Sequence, residues 1–452
     1  MNVYHRLNNE MLWIRNDQTR IESGHSLLYA PMKGVLRIAP KEIEKQEALE
    51  ALHEKTINLL GIDPSQSSVF PEGSDLNSRL KAILAMTKKM PELKTLFCEG
   101  YAVDSSIEGA EEDIKVKKFF SKNGFDVIHS DPKSADRWHN KTWFRRVVSE
   151  IYDKQIIPIG MAFGKPSIQK DILPFVRGMF KANADVILKK NGEGGMANLK
   201  LLRTQNNYEE EIDCFLKNYK KTSGYCDHWI SCEMWTRWSF TGCCSYVIDG
   251  KSFPSCSGLV EQILAPGKTA FKGSTSAILL CAEDRKKIKE LVFPVIKKME
   301  IDGIRGFAGI DFILSKPDYT KDEYRLPVSD LAFRFVEATT RIGGHNQELK
   351  ALSLIAEREG VNVDDLIHLK ICNKPVKGTK SRQEVESYFC NLLKDVAKPF
   401  SMKPLKRGEI FFLLGTNMGA HQPSMFDCLM FFAFKDDETI QKIRLYRQFI
   451  DT

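Results

Sequence analysis

A chain of 452 residues with 42% hydrophobic content is long enough for about two to four folded units with real cores. Its formal net charge of +7 is spread over 66 basic and 59 acidic residues, too mild a balance to argue for nucleic acid, and the basic tract with interleaved aromatics that such binding uses is missing. No apolar run approaches the roughly 20 residues needed to cross a bilayer, and the N-terminus Met-Asn-Val-Tyr-His-Arg lacks a signal-peptide core, so the expectation is a cytoplasmic protein with no membrane partner.

In chain order, residues 41–60 and 77–89 read as helices and 94–98 as a strand. An amphipathic helix over 111–123 and a strand over 126–129 follow, and strand, helix, strand in that order predicts a parallel α/β unit. Helices over 141–153 and 169–181 flank a proline-punctuated stretch and lead to a glycine-dense loop. Strands over 229–234, 244–249, 309–314 and 333–338 then predict an α+β body, with a helix over 285–299 interrupted by Pro294. The polar insert 315–329 reads as an exposed hairpin loop. Beyond it, 361–372 and 381–396 read as helices. Two buried strands, 407–415 and 428–434, and a helix over 437–449 complete a small C-terminal appendix.

Eleven cysteines occur without a Cys-x-x-Cys pair. Cys226, Cys232, Cys243, Cys244 and Cys256 are close enough in sequence to raise a zinc site, but their spacings fit no common zinc pattern, and reduced thiols are the simpler reading. A nucleophile-elbow serine and a His-Glu-x-x-His zinc helix are both missing.

The chemistry concentrates in Gly306-Phe-Ala-Gly-Ile-Asp311-Phe-Ile-Leu and Phe333-Arg-Phe-Val-Glu337-Ala-Thr-Thr-Arg341-Ile-Gly-Gly-His-Asn346. Each half is an apolar strand ending near a carboxylate, and a hairpin-like pair brings Asp311 and Glu337 side by side. At about 4 Å two such charges repel by roughly 4 kcal/mol with an effective dielectric near 20, so the pair shares a proton or holds a cation. Oxygen ligands without a Cys or His cluster point to magnesium, and magnesium to a polyphosphate. The phosphate side lies upstream in Ile187-Leu-Lys189-Lys190-Asn-Gly192-Glu-Gly194-Gly195, where a β-rich run delivers two lysines to a loop followed by a second apolar run. Glycines let backbone N–H groups approach phosphate oxygens, and a lysine adds a point charge. No Lys-Ser/Thr follows the last glycine, so this reads as a lid rather than a Walker loop. Strand alternation puts Lys189 and Lys190 on opposite faces, so only one points inward.

These residues resemble the ATP-grasp carboxylate-amine ligases over residues 136 to 350. The resemblance implies α/β and α+β architecture with an N-terminal pre-ATP-grasp domain (1–135), a glycine-loop lid (136–228), a core carrying the metal carboxylates (229–375) and a C-terminal appendix (376–452). It implies ATP and Mg2+ as cofactors. Lys141, Lys189 and the backbone at Gly192, Gly194 and Gly195 would hold phosphates. Glu233 and Met234 of Trp229-Ile-Ser-Cys-Glu233-Met234-Trp would hold adenine and ribose. Asp311, Glu337 and Thr339 would be metal ligands, although the family's Glu-x-Asn-x-Arg reads Glu337-Ala-Thr339-Thr-Arg341 here, with a shorter hydroxyl ligand. Arg341 would bind phosphate or the reacting intermediate, with Arg305 as a second flanking arginine that reads equally as a surface residue. His345 suits a general base or a structural turn.

The implied activity is ATP-dependent activation of a carboxylate as an acyl phosphate, followed by amide or peptide bond formation with an amine. More narrowly, Glu261-Gln-Ile-Leu and Lys272-Gly273-Ser resemble the ATP-grasp peptide ligases that mature peptide natural products or load an amino acid onto a carrier protein. Two rivals stay open: an ATP-grasp enzyme with a thiol or bicarbonate acceptor, and a nucleotide-binding regulatory module without turnover.

Overall fold

The structure is a computed structural model that describes residues 12–16, 35–38, 76–87, 95–99, 107–152, 156–164, 168–190, 199–204, 207–217, 229–235, 238–250, 252–264, 271–276, 280–315, 324–325, 331–340, 344–375, 382–401, 403–415 and 425–446. The expected helix over 41–60, the glycines at 192, 194 and 195, Cys226 and Arg341 lie outside these residues.

The N-terminal stretch forms β1 (Leu12–Asn16), β2 (Val35–Ile38), α1 (Leu76–Thr87), β3 (Thr95–Glu99), α2 (Ile107–Lys122) and β4 (Asp126–Ile128). The strands order β2-β1-β3-β4, with every pairing parallel. A parallel neighbour needs a crossover, and α2 supplies it between β3 and β4. Val116 and Phe120, one helical turn apart, are buried together with Leu96 and Ile128.

Helices α3 (Pro132–His139) and α4 (Lys141–Ile151) follow. Next come β5 (Gly160–Gly164), α5 (Ile168–Lys181), β6 (Asp185–Lys190), β7 (Leu199–Leu202), α6 (Tyr208–Lys217) and β8 (Trp229–Trp235). Their antiparallel sheet runs β5-β8-β6-β7. Ile172 and Val176 of α5 and Ile212 and Phe215 of α6 pack on Val186, Leu188, Leu202, Ile230 and Cys232. Period-2 alternation therefore leaves Ile187, Lys189, Ser231 and Glu233 on the other face.

The third sheet has ten strands in the order β13-β14-β12-β9-β10-β11-β15-β18-β17-β16. Along the chain these are β9 (Trp238–Ile248), β10 (Ser255–Leu264), β11 (Phe271–Ser276), β12 (Gly306–Ser315), β13 (Tyr324–Arg325), β14 (Ala332–Thr339), β15 (Leu366–Pro375), β16 (Lys398–Pro399), β17 (Phe411–Gly415) and β18 (Met425–Phe434). Four helices accompany them: α7 (Ala282–Ile301), α8 (Gly344–Glu359), α9 (Arg382–Leu392) and α10 (Asp437–Tyr446). Aromatic packing between Phe240, Phe312, Phe333 and Phe335 holds the core under the strands that carry the carboxylates. Gly273 is required at the β11–β15 contact, because a Cβ there would sit 1.9 Å from the Lys370 carbonyl oxygen.

Two expectations are corrected. Helix α7 continues through Pro294, because Ile288, Val292, Val295, Ile296 and Met299 are all fully buried. At about 1.5–3 kcal/mol each, that face offsets the roughly 3 kcal/mol an interior proline costs. The stretch over 361–372 is not a helix but a 3-10 turn at Val363–Asp365 followed by β15. Its residues alternate, with Ile367, Leu369 and Ile371 packing in one apolar cluster while Leu366 packs in another beneath α8. Ile367-His368-Leu369-Lys370-Ile371 alternates apolar and polar as a strand does, and its polar face is buried too, with His368 Nε2 3.6 Å and Lys370 Nζ 4.0 Å from Glu348. Within the insert 315–329, Tyr324 and Arg325 pair with β14 and so add a short edge strand.

Candidate functional site

The site is built where α4, the sheet of β5–β8 and the paired strands β12 and β14 meet. Helix α4 begins on an Asn140 cap whose side chain accepts from the N–H groups of Thr142 and Trp143 at 2.9 and 3.0 Å. Phe144, Val147 and Val148 bury one face of α4 against the same core as Phe335, which carries Lys141, the first helical residue, onto β14. Lys141 Nζ lies 3.2 Å from Glu337 Oε2.

Asp311 and Glu337 are direct cross-strand partners, followed by a register shift between Asp311 and Phe312. Gln262 Nε2 on β10 donates to Asp311 Oδ1 at 3.1 Å. On the other flank of β12, Cys243 is the register partner of Asp311, and burial, reinforced by the Asp311 charge, pushes its thiol well above the ordinary value. Burial also pushes the Glu337 carboxyl up, but the ammonium groups of Lys141 and Lys189 and the neighbouring His139 overcome it and leave the pKa below the usual value. Among the described residues no three His, Cys, Asp or Glu side chains converge as a metal site. Two carboxylates with a cation already against one of them fit magnesium, which takes one or two protein carboxylates and completes its shell with water and phosphate oxygens. Thr339 ends β14 two residues past Glu337, on the same side of the strand.

The lid supplies a second ionic cluster. Glu233 is 1% exposed and takes Lys189 Nζ on Oε2 at 2.6 Å, Arg145 Nη1 on Oε1 at 3.2 Å and the Ser231 hydroxyl on Oε1 at 2.7 Å. Burial pushes this carboxyl up, and Lys189, Arg145 and Ser231 more than reverse it, bringing it down to about 2. Arg145 also donates to the carbonyls of Pro158 and Gly160 at 2.8 and 3.2 Å, which ties α4 to the entry of the lid sheet. Gly160 is needed where β5 crosses β8, since a Cβ would lie 2.5 Å from the Cys232 carbonyl oxygen. Lys190 faces the other way, its ammonium 4.8 Å from the centre of the Phe215 ring. Met234 points to the helix-covered face, 7% exposed, while its backbone N–H donates to Ile159 O at 2.7 Å.

Of the expected site residues, the structure brings together Lys141, Asp311, Glu337 and Thr339, and joins Lys189 to Glu233. It does not bring Arg305 to the carboxylates. Arg305 immediately precedes β12, six residues and roughly 20 Å of extended chain from Asp311, and its guanidinium donates to the carbonyls of Glu300 and Ile304 at 2.8 and 2.7 Å, capping the end of α7. Among the described residues the cysteines form no three-ligand metal site: Cys244 contacts Cys256 side chain to side chain, Cys243 faces the other way on β9, and Cys232 lies in the sheet of β5–β8.

Sequence reading missed Arg145, Ser231, Gln262 and His139. Arg145 had a signal: it lies one turn from Lys141 on a helix face that is otherwise apolar. Ser231 shares the strand face of Glu233. His139 hydrogen-bonds through Nε2 with the Thr340 hydroxyl at 2.7 Å, and nothing in the sequence announced that contact across 201 positions.

The sequence matches no family model and no curated protein. Solved structures match across nearly the whole chain. N5-carboxyaminoimidazole synthetase from Staphylococcus aureus is 8% identical with a TM-score of 0.54, covering 98% of this chain and 97% of that one. The Aspergillus clavatus N5-carboxyaminoimidazole synthase, solved with ADP and 5-aminoimidazole ribonucleotide, is 9% identical with a TM-score of 0.53, covering 98% and 99%. Biotin carboxylase from Campylobacter jejuni is 14% identical with a TM-score of 0.51, covering 96% and 90%. These are ATP-grasp enzymes; the mixed α/β chain described above has the ATP-grasp fold.

Proposed function

We propose that this chain is an ATP- and magnesium-dependent ligase that activates a carboxylate and joins it to an amine. The observation that carries the reading is the register pairing of Asp311 with Glu337 beneath Lys141, an oxygen-ligand cation position next to a phosphate-sized positive charge. Solved enzymes of the same fold bind ADP, and one is described with MgADP and bicarbonate.

In this reading Lys141 and Lys189 hold phosphate oxygens, with Gly192, Gly194 and Gly195 closing over them. Glu233 orients Lys189 rather than touching the nucleotide, since its oxygens already hold the Lys189 ammonium, the Arg145 guanidinium and the Ser231 hydroxyl, and the backbone beside Met234 lines the adenine. Asp311 and Glu337, with Thr339, hold magnesium, which when bound offsets the charge on the phosphates. A carboxylate oxygen of the substrate attacks the γ-phosphorus, the bond to the β,γ-bridging oxygen breaks, and ADP leaves. The amine nitrogen then attacks the acyl carbon of the acyl phosphate, loses a proton and expels phosphate. Arg341 neutralises the transferring group, and exclusion of water keeps the acyl phosphate from hydrolysis.

Incubation with magnesium ATP and pooled amino acids or short peptides, following phosphate release and new masses together, tests this. Amide products that require both a carboxylate and an amine are expected. Parallel arms with bicarbonate and with a thiol separate carboxylation and thioester formation, the first being the reaction class of biotin carboxylase, which has this fold. No ADP in any arm would leave a nucleotide-binding module without turnover.

A further inference from the structure

Both lysines assigned to phosphate are already ion-paired, and the two pairs are not alike. Lys189 is locked to Glu233 in a cluster shared with Arg145 and Ser231, and its partner is 1% exposed. Lys141, itself 7% exposed, sits against Glu337, a carboxylate that is 36% exposed and belongs to the metal pair. Among the described residues, Asp311, Glu337 and Glu233 lie beside Lys141, Lys189 and Arg145.

Resting on the proposed ligase reading, we infer that Lys141 is an exchangeable counter-ion that makes metal binding conditional on nucleotide. Without nucleotide its ammonium neutralises Glu337 and stands where a divalent cation must approach. An ammonium and a divalent cation sharing one carboxylate repel each other. A nucleoside di- or triphosphate supplies the oxygens that draw Lys141 off Glu337. The carboxylate then becomes available to the metal at the moment a polyphosphate is there to share it. By linkage, the metal raises nucleotide affinity by the factor by which nucleotide raises metal affinity. The site thereby ignores free divalent cations.

A static tether between α4 and β14 predicts the opposite response to losing the lysine. The experiment measures Mn2+ binding to the full-length chain by the electron paramagnetic resonance signal of free Mn2+, with and without ADP and against protein-free blanks that account for the Mn2+ ADP itself chelates, in wild type, Lys141→Met and Glu337→Gln, with circular dichroism confirming the fold of each. Wild type is expected to bind Mn2+ weakly alone and at least about 10-fold more tightly with ADP, within the 5–150-fold usual for coupled sites. Lys141→Met should bind Mn2+ alone about 10-fold more tightly than wild type, with most of the ADP dependence gone, and Glu337→Gln should lose the site. If ADP promotes Mn2+ binding in wild type but Lys141→Met binds the bare metal no better, the counter-ion inference is wrong and the metal site stands. If ADP promotes no binding even in wild type, the carboxylate pair is not a nucleotide-linked metal site, and both readings fall.

Discussion

The carboxylate of Glu233 is 1% exposed and holds Lys189, Arg145 and Ser231, whereas that of Glu337 is 36% exposed and meets Lys141 at 3.2 Å. Both are acids beside a lysine on a β-strand. The first is sealed between α4 and the lid sheet, where removing any partner strands a buried charge. The second carboxylate is partly exposed, where water and ligands can reach it beside a lysine that is itself 7% exposed. An ion pair's geometry alone does not say whether it is a joint or a place-holder; its burial and its other partners do.

The sharpest way to break this contrast is Glu233→Gln, which leaves Lys189 and Arg145 buried without a counter-charge. A loss of about 3–5 kcal/mol is expected in urea unfolding, and a smaller one for Glu337→Gln, whose carboxylate is 36% exposed although its lysine is 7% exposed. Equal losses in the two variants would erase the distinction.

Turnover should respond in the other sense. Asp311→Asn and Glu337→Gln are expected to lower kcat on the order of 10²–10³-fold, because the metal they hold is worth several kcal/mol of charge stabilisation, while circular dichroism and unfolding midpoints stay near wild type. Wild-type rates at limiting magnesium in both variants would remove the metal assignment.

Acid sharpens the comparison further. The folded pKa of Glu233, about 2, lies below its ordinary 4.5, so its stabilising contribution is complete above 4.5 and disappears as the pH falls toward 2. Wild type should lose stability across that window more steeply than Glu233→Gln. Parallel curves would mean that the buried cluster is not what acid breaks.

The smallest expected effect is at Thr339. Thr339→Asn should keep activity, and Thr339→Val should raise the magnesium requirement a few-fold, since valine preserves shape and removes the oxygen. Superimposable magnesium titrations would show that the hydroxyl is not a ligand.

Much of this was legible in the sequence where local pattern and chemistry agreed. The pairing of Asp311 with Glu337 followed from two apolar strands each carrying one acid, and the opposite faces of Lys189 and Lys190 from strand alternation alone. Arg305 misled because closeness in sequence to Asp311 means distance along an extended strand. Residues 361–372 misled although Ile367-His368-Leu369-Lys370-Ile371 alternates as a strand does, because the acidic turn Val363–Asp365 ahead of it reads as a helix start. Arg145 and His139 act through contacts that exist only once α3 and α4 dock on the sheets.

The pairing of β11 with β15, and of β15 with β18, has a consequence for solubility. The strands beyond residue 366 extend the same hydrogen-bonded sheet that carries Asp311. Ending the chain at Pro375 would strip β15 of its outer neighbour and present a long row of unsatisfied backbone donors and acceptors, an adhesive edge for any other extended chain. The C-terminal strands thus act as a selvedge for β11 and β15, finishing the weave at the end of the sheet remote from Asp311 and Glu337.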